Sequence, residues 1–219
     1  MALDLITVTD PRSPVAEAYR SLRTNLEFSS LDHPLHTLLV TSPGPDEGKS
    51  TTLANLAVTT AQTGRRVIVV DCDLRRPRQH EIFGVSNGTG LTTMVRDEAA
   101  LTRPPLQKTQ VAGLWVLPSG PLPPNPAELL ASQRMSQVIE RLMQSADLVL
   151  FDAPPVIAVT DAAVLASKLD GVLLVINAGS TKRQYALRAK EILERVNARL
   201  IGAVLNNVVL DKTLHTYYT

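Results

Sequence analysis

The segment SPGPDEGKSTTLANLA, residues 42–57, contains the residue types of a phosphate-binding loop. A Gly-Lys-Ser-Thr run separates an apolar, strand-like stretch from an Ala- and Leu-rich helical one. In such a loop the glycine lets backbone N–H groups approach a phosphate, the lysine reaches the β- and γ-phosphate oxygens, and the hydroxyl ligates Mg²⁺. These positions are Gly48, Lys49 and Ser50. The segment therefore predicts a site for a nucleoside triphosphate.

Carboxylates follow two later apolar runs directly. Asp71 and Asp73 stand in VIVVDCDLRRP, and Asp152 stands in LVLFDAPP. At the carboxyl ends of parallel strands, such groups can hold Mg²⁺ or its waters, and one can deprotonate an attacking hydroxyl. The alternative, that each aspartate only caps the next helix, stays open. Cys72 points to the opposite face by strand periodicity and is expected to be a buried, inert thiol.

The elements that must position these residues are those of an α/β domain. Short Val-, Ile- and Leu-rich runs alternate with helical ones, which predicts a P-loop NTPase-type fold with a mostly parallel sheet covered by helices on both faces. The predicted strands are 37–41, 65–71, 114–120, 147–155, 171–176 and 199–206. The predicted helices are about 49–63, 127–145, 161–169 and 181–197. Asn125 is expected to cap the helix that starts at Pro126.

Composition excludes several classes of protein. The 219 residues, 44% of them hydrophobic, suit one globular domain. The 22 basic and 21 acidic residues nearly cancel, which argues against a nucleic-acid partner. A single cysteine is typical of a cytosolic chain, and the four histidines show no metal-ligand spacing. No apolar run reaches the ~20 residues of a membrane span, and the start lacks the basic region of a signal peptide.

The chain resembles the cytoplasmic catalytic domain of bacterial tyrosine kinases (BY-kinases), which are related to partition and septum-placement ATPases. Five stretches distributed over nearly the whole chain carry the resemblance. They are EAYRSLRTNLEF (17–28), TSPGPDEGKSTTLANLA (41–57), VIVVDCDLRRP (67–77), PLPPNPAELL (121–130) and DLVLFDAPP (147–155). The first and fourth are the most specific, because the others fit many P-loop ATPases.

The resemblance implies ATP and Mg²⁺ as ligands and assigns the motifs. Walker A would be residues 44–51, Walker A′ would contain Asp71 and Asp73, and Walker B would contain Asp152. Asp71 would activate the tyrosine hydroxyl, while Ser50, Asp73 and Asp152 would serve the magnesium. The expected nucleotide-binding residues are Gly44, Asp46, Glu47, Gly48, Lys49, Ser50, Thr51 and Asn206, the last near the adenine.

The phosphate loop departs from the common pattern at two places. The strict G-x-x-x-x-G-K-[ST] spacing requires glycine at 43, where the chain has Pro43 followed by Gly44. Asp46 stands where the family usually has glycine. Asp tolerates a left-handed backbone better than most residues, so we expect the loop to form, although the added negative charge would weaken ATP binding.

A tail of residues 211–219 is expected to follow a kinase domain of residues 1–210. Family members generally end in a cluster of several tyrosines that accept phosphate. This chain ends in LHTYYT, so Tyr217 and Tyr218 are the expected acceptors.

One helix is expected to direct self-assembly. Ser13 can cap it and Pro14 suits its first position. At 100° per residue, one stripe should pack on the domain; it comprises Val15, Tyr19, Leu22 and Leu26. A second stripe on the other side comprises Glu17, Arg20 and Arg23. The simpler interpretation of this stripe is an intrahelical Glu17–Arg20 pair on a solvated face. The resemblance implies instead that the Glu-x-x-Arg-x-x-Arg pattern joins copies of the chain into a ring, in which each tail reaches the neighbouring copy.

The resemblance also implies a partner and a role. Related kinases work with a membrane-embedded chain-length-determining protein, at the inner face of the cell membrane, and regulate export of capsule or exopolysaccharide. The apolar start LDLIT (3–7) is either a docking point for such a partner or an edge strand. Two alternatives stay open, an ATPase switch that transfers no phosphate to protein and a scaffold that only binds nucleotide.

Overall fold

The strands of this protein form one mixed sheet. A computed structural model describes residues 4–29 and 32–208. Within them the sheet has seven strands. These are β1 (Thr37–Thr41), β2 (Val67–Asp71), β3 (Gln107–Lys108), β4 (Leu114–Leu117), β5 (Leu148–Asp152), β6 (Gly171–Asn177) and β7 (Leu200–Asn206).

The strand order places the three motif-bearing strands side by side. The order is β3-β4-β2-β5-β1-β6-β7. All neighbouring pairs are parallel except β3 with β4. The carboxyl ends of β2, β5 and β1 therefore lie next to one another, where ligands bind in such sheets. The predicted α/β class is confirmed, but β3 was missed because a two-residue strand carries no periodic signal.

Ten helices lie in the described ranges. They are α1 (Ile6–Thr9), α2 (Pro14–Phe28), α3 (Lys49–Ala61), α4 (Gln79–Phe83), α5 (Leu91–Arg96), α6 (Glu98–Thr102), α7 (Pro126–Ala131), α8 (Gln133–Met143), α9 (Asp161–Ala166) and α10 (Arg183–Arg195). The single helix predicted over 127–145 is wrong. Ser132 adopts an extended conformation between α7 and α8, and its hydroxyl caps α8 by accepting from Met135 N. Asn125 makes no capping bond to the backbone and donates instead to the Glu128 carboxylate.

Two hydrophobic cores flank the sheet, one on each face. Alternate strand residues point to opposite sides, so Val67 and Val69 pack towards α3 while Ile68 and Val70 join the core under α8 and α9. Helix α3 is buried over most of its length, with α1 and α2 packed outside it. The expectation of helices on both faces is confirmed.

The amino-terminal segment differs from the expectation of an edge strand. Residues from Ile6 form the short helix α1, and Leu5 before it is buried. The Thr7 hydroxyl donates to Asn55 Oδ1 of α3 at 2.8 Å. The described part of the apolar start is therefore packed on the domain itself.

Helix α2 begins as predicted, and the predicted stripe faces the domain except at its first residue. The Ser13 hydroxyl accepts from Ala16 N, and Pro14 occupies the first position. Leu22 and Leu26 pack on the core as expected. Val15 does not, since it is 49% exposed.

Candidate active site

A cleft of about 550 Å³ lies at the carboxyl ends of β1, β2 and β5. The loop between β1 and α3 forms one wall, and the segment between β2 and α4 forms the other. The lining residues include Asp46, Glu47, Gly48, Lys49, Ser50, Thr51, Asp73, Arg76, Arg78 and Pro155. Sheet topology thus joins the phosphate loop to the Asp73 segment, which lies well away from it in sequence.

The phosphate loop has the backbone geometry of an anion cradle. Asp46 and Gly48 are both left-handed, with φ of 58° and 84°. Gly48 is the N-cap of the thirteen-residue helix α3, so successive N–H groups and a helix N-terminus face the cleft. A Cβ at Gly48 would lie 2.1 Å from Asn206 Nδ2, so any other residue would displace the Asn206 side chain and would also strain the left-handed backbone. The expectation that Asp46 accommodates the left-handed turn is confirmed.

Glu47 and Asn206 brace this loop from outside. The Glu47 carboxylate accepts from Gly44 N at 3.1 Å, from Asn177 N at 2.6 Å and from the Thr181 hydroxyl. Asn206 Nδ2 donates to the Glu47 carbonyl at 3.0 Å. The Glu47 side chain, expected to bind nucleotide, is therefore used within the protein to hold the loop against the ends of β6 and β7.

Lys49 neutralises the acidic centre of the site. Its Nζ lies 2.9 Å from Asp73 Oδ2, 3.4 Å from Asp152 Oδ1 and 3.2 Å from Ser50 Oγ. Burial lowers the pKa of Lys49, but the charges of Asp152 and Asp73 outweigh it and the pKa is raised overall. The ammonium group stays charged and joins the Walker A, A′ and B motifs in one cluster.

Asp71 lies beneath this cluster rather than on the cleft wall. Its side chain is fully buried and accepts from Asp73 N at 3.2 Å, Arg78 N at 2.9 Å and Gln79 N at 2.8 Å. Burial, reinforced by the charge of Asp152, raises the pKa of Asp71 well above its usual value. Asp71 is thus a buried carboxyl group with a high affinity for a proton.

Gln79 is a member of the site that sequence reasoning missed. It is fully buried, and its Nε2 donates to Asp152 Oδ2 at 2.7 Å and to the Ser50 carbonyl at 3.2 Å. It is an uncharged residue at the start of a five-residue helix, so no motif marked it.

The segment after Asp73 carries three arginines with different surroundings. Arg75 makes a bidentate pair with the buried Asp161, at 2.9 and 3.0 Å. Arg78 pairs with Glu81 at 3.2 Å. Arg76 lines the cleft, and its backbone N donates to Asp73 Oδ1 at 2.9 Å. Asp161 is another residue that the sequence did not single out.

Cys72 lies on the face of the sheet that α8 and α9 cover, away from α3. It is fully buried in the core with Ile68 and Val70. Burial raises the pKa of its thiol well above the usual value. The expected buried position is confirmed.

The charged residues of α2 are not arranged as one outward stripe. Arg20 pairs with Glu17 at 2.6 Å and also donates to the Pro11 carbonyl. Arg23 points towards α3 and donates to the Thr59 carbonyl at 3.1 Å. The expectation that Arg23 shares the outer side with Glu17 and Arg20 is wrong, since packing of α2 on α3 places it at their junction.

Two sequence expectations fall outside residues 4–29 and 32–208. These are the acceptors Tyr217 and Tyr218, together with the tail of residues 211–219. Among the described residues, no helix combines the length and apolar character that crossing a bilayer requires.

The donor set fits a magnesium–nucleotide complex better than a metal held by protein alone. In the described ranges, no group of three or more His, Cys, Asp and Glu side chains is arranged to hold a metal ion. Mg²⁺ usually takes one or two protein oxygens together with phosphates and waters. Ser50 Oγ and the carboxylates of Asp73 and Asp152 are such oxygens, all within 3.4 Å of Lys49 Nζ.

The fold and the site together define a P-loop nucleotide-binding domain: a mostly parallel sheet, a glycine-containing loop before α3 and carboxylates at the strand ends. Residues 38–218 match the family described as the CobQ/CobB/MinD/ParA nucleotide binding domain. The predicted fold class is thereby confirmed, and membership of this family implies a nucleotide ligand.

Similarity over the full chain identifies a narrower group. Tyrosine-protein kinase YwqD of Bacillus subtilis is 42% identical over 100% of this chain and 91% of its own length. Tyrosine-protein kinase CpsD of Streptococcus agalactiae is 37% identical over 92% of this chain and 86% of its own. The kinase domain of the Escherichia coli tyrosine kinase Etk superposes with a TM-score of 0.90, with 34% identity over 97% of this chain and 83% of that one. The chain belongs to the bacterial tyrosine-protein kinase family.

Membership of this family favours the tyrosine kinase over the earlier alternatives. The expected tyrosine-kinase activity agrees with relatives that match almost the whole chain. The relationship to MinD and ParA is one of fold.

Proposed function

We propose that this kinase transfers the γ-phosphoryl group of ATP to tyrosines in the tail of a neighbouring copy. The observation that best supports this is the position of Lys49 between Asp73 and Asp152. A phosphate-binding cation and two candidate metal ligands already share one cleft, so a bound triphosphate would meet all of them.

Nucleotide binding would redirect Lys49. The ammonium group leaves the carboxylates and binds the β- and γ-phosphates, while loop N–H groups from Gly44 to Thr51 surround the phosphates. Asn206, which already contacts the loop, would lie near the adenine. Asp46 adds a negative charge to the loop, so it would weaken the affinity for ATP.

Mg²⁺ would be held by Ser50, Asp73 and Asp152 together with phosphate oxygens. When bound, it supplies the positive charge that offsets the phosphates and the carboxylates that Lys49 has left. Gln79 donates to one oxygen of Asp152 and thereby leaves the other oriented towards the cleft.

Asp71 would accept the proton of the attacking tyrosine hydroxyl. The raised pKa of Asp71 suits proton uptake. The carboxylate is covered by the backbone amides of Arg78 and Gln79. A hydroxyl would therefore reach it only when Lys49 has moved and the amides of Arg78 and Gln79 have shifted away from the carboxylate, while Arg76 stays anchored to Asp73.

Transfer between copies would use a ring-shaped homo-oligomer and the tail acceptors Tyr217 and Tyr218. Glu17, Arg20 and Arg23 would form the contact between copies. In the single chain the side chain of Arg20 is half-buried and that of Glu17 is exposed. Because a neighbouring copy could reach both, assembly would replace this pair within the helix by a pair between neighbours.

The regulatory setting would be the inner face of the cell membrane. A membrane-embedded chain-length-determining protein would bind and activate the kinase, which would remain cytoplasmic and peripheral, with no role for nucleic acid. Its physiological function would be control of capsule or exopolysaccharide synthesis and export.

Incubation with Mg-ATP followed by mass spectrometry tests the proposal. Phosphotyrosine should appear at Tyr217 and Tyr218 in the wild type, with more when a membrane activator fragment is added, and should be absent in Lys49→Met. If both tail tyrosines are replaced by Phe and the amount of phosphotyrosine does not fall, the acceptor is another tyrosine, such as the exposed Tyr185. ATP hydrolysis without any phosphotyrosine would favour an ATPase switch instead.

A further inference from the structure

Of the three arginines that follow Asp73, Arg76 is the one whose guanidinium has no carboxylate partner among the described residues. Arg75 is paired with Asp161, and Arg78 is paired with Glu81. Arg76 has no ion pair or side-chain hydrogen bond with the described residues, although it lines the cleft together with Lys49 and Ser50. We infer that Arg76 binds the γ-phosphoryl group of the nucleotide and stabilises it during transfer; this inference rests on the proposed function.

The backbone of Arg76 is held at the centre of the site. Asp73 Oδ1 accepts from Arg76 N at 2.9 Å, while Asp73 Oδ2 binds Lys49 Nζ at the same distance of 2.9 Å. Arg75, its neighbour in sequence, is anchored by two bonds to a fully buried carboxylate. The guanidinium of Arg76 thus extends from a fixed point into the cleft.

With the adenine near Asn206, as proposed, the sheet order would put Arg76 at the terminal-phosphate end of a bound nucleotide. Asn206 ends β7, on one side of β1, whereas Arg76 follows β2 on the other side. With the base near Asn206 and the β-phosphate in the loop after β1, the γ-phosphate would lie on the side of β5 and β2. Besides Lys49, the cleft is lined by Arg76 and Arg78, and of these two arginines only Arg78 has an ion pair among the described residues.

The charge balance of the site supports an additional cation at the γ-phosphate. Lys49 faces three carboxylates, those of Asp71, Asp73 and Asp152. The planar guanidinium of an arginine donates two parallel bonds to phosphoryl oxygens, which a lysine cannot do. An arginine supplied in cis is an established way to stabilise phosphoryl transfer in P-loop proteins.

In the transfer step the tyrosine oxygen forms a bond to the γ-phosphorus. The bond between that phosphorus and the β–γ bridging oxygen breaks, its electron pair stays on ADP, and the tyrosine proton passes to Asp71. Arg76 donates N–H bonds to the non-bridging oxygens throughout and neither gains nor loses a proton.

The test compares binding of ADP with binding of a non-hydrolysable ATP analogue, both with Mg²⁺, by calorimetry. Arg76→Ala should weaken the analogue at least about tenfold, as expected for loss of a charged hydrogen bond, and should change ADP binding less than about twofold. It should also lower kcat about 10²- to 10³-fold, in the range for loss of one transition-state donor. Arg76→Lys should recover part of the affinity for the analogue but little of kcat, because an ammonium group cannot donate two parallel hydrogen bonds to the phosphoryl oxygens.

Arg78→Ala and Arg66→Ala serve as controls for the loss of one positive charge. Arg78 lines the same cleft but is paired with Glu81, and Arg66 precedes β2 at the opposite end of the strand. Both should keep the wild-type preference for the analogue over ADP. The inference is overturned if Arg76→Ala weakens the affinities for ADP and for the analogue equally, or if Arg78→Ala weakens the analogue as selectively as Arg76→Ala does. Either result leaves the proposal of nucleotide binding intact. Failure of the wild type to bind either nucleotide would instead overturn the proposed function.

Discussion

At the scale of single residues, Lys49 serves two purposes with one ammonium group. It is positioned for phosphates, yet in the described structure it neutralises Asp73 and Asp152. Its side chain is 12% exposed, and those of Asp73 and Asp152 are 6% and 0% exposed. If the lysine were removed, water could therefore solvate the two carboxylates only poorly. Removal of the lysine therefore affects folding as well as binding.

Lys49→Met should abolish nucleotide binding and lower the free energy of unfolding by about 3 kcal/mol or more, the usual cost of breaking a buried ion pair. Urea unfolding without nucleotide measures this. Lys190→Met, which breaks an exposed pair with Glu194 at 3.5 Å, should change stability by less than about 0.5 kcal/mol. A Lys49→Met protein as stable as the wild type would show that the carboxylates are neutralised by another group.

Asp71 should make stability depend on pH in the direction opposite to an ordinary salt-bridged aspartate. Its pKa is raised in the folded chain, so folding favours the protonated form. This contribution is fully present below the unfolded pKa of about 3.9 and is lost as the pH rises through the folded pKa. Without Mg²⁺, the melting temperature of the wild type should therefore fall relative to that of Asp71→Asn as the pH is raised. If the melting temperatures of the two proteins differed by the same amount at every pH above about 3.9, the raised pKa of Asp71 would be contradicted.

At the scale of elements, α2 would combine the proposed assembly role with its packing role in the single chain. Glu17 and Arg20 are paired within the helix, whereas Arg23 joins α2 to α3 through the Thr59 carbonyl. Substitutions of these residues should therefore separate into two classes.

Glu17→Ala combined with Arg20→Ala should dissociate the assembly, keep ATP binding and change the stability of the monomer by less than about 0.5 kcal/mol, because an i,i+3 pair contributes little. Arg23→Ala should also destabilise the monomer by about 1 kcal/mol, since the Thr59 carbonyl loses its donor. Sedimentation velocity and thermal unfolding distinguish the two effects. An unchanged large assembly for the double variant would refute the role of this pair.

At the scale of the whole molecule, Cys72 reports on the integrity of the sheet beneath the site. It is the only cysteine of the chain and is buried on the face of the sheet that α8 and α9 cover. Burial raises its pKa well above the usual value, so little thiolate is present in the folded protein.

A thiol reagent should label Cys72 only as fast as the protein unfolds. Mg-ATP at one hundred times its dissociation constant should slow labelling about a hundredfold, because nucleotide binds the folded state alone. Lys49→Met should show no such protection. Rapid labelling of the native wild type at a rate independent of nucleotide would instead indicate local opening of the segment after β2.

The sequence alone was sufficient for features that depend on local pattern. The position of the phosphate loop, the strand-end carboxylates and the buried face of Cys72 follow from motif spacing and from the alternation of side chains along a strand. The tolerance of Asp46 for a left-handed backbone was also foreseen, since it is a property of that residue type.

The tertiary structure decided which polar groups meet across the site. Arg75 binds Asp161, which is 86 positions away, and Glu47 binds Thr181, which is 134 positions away. Gln79 reaches Asp152 only because β2 and β5 are neighbours in the sheet. Periodicity tells which side of a strand or helix a residue occupies, but its partner depends on the order of the strands and on how helices pack over them. That order minimises the free energy of the whole chain, so no local stretch of sequence encodes it.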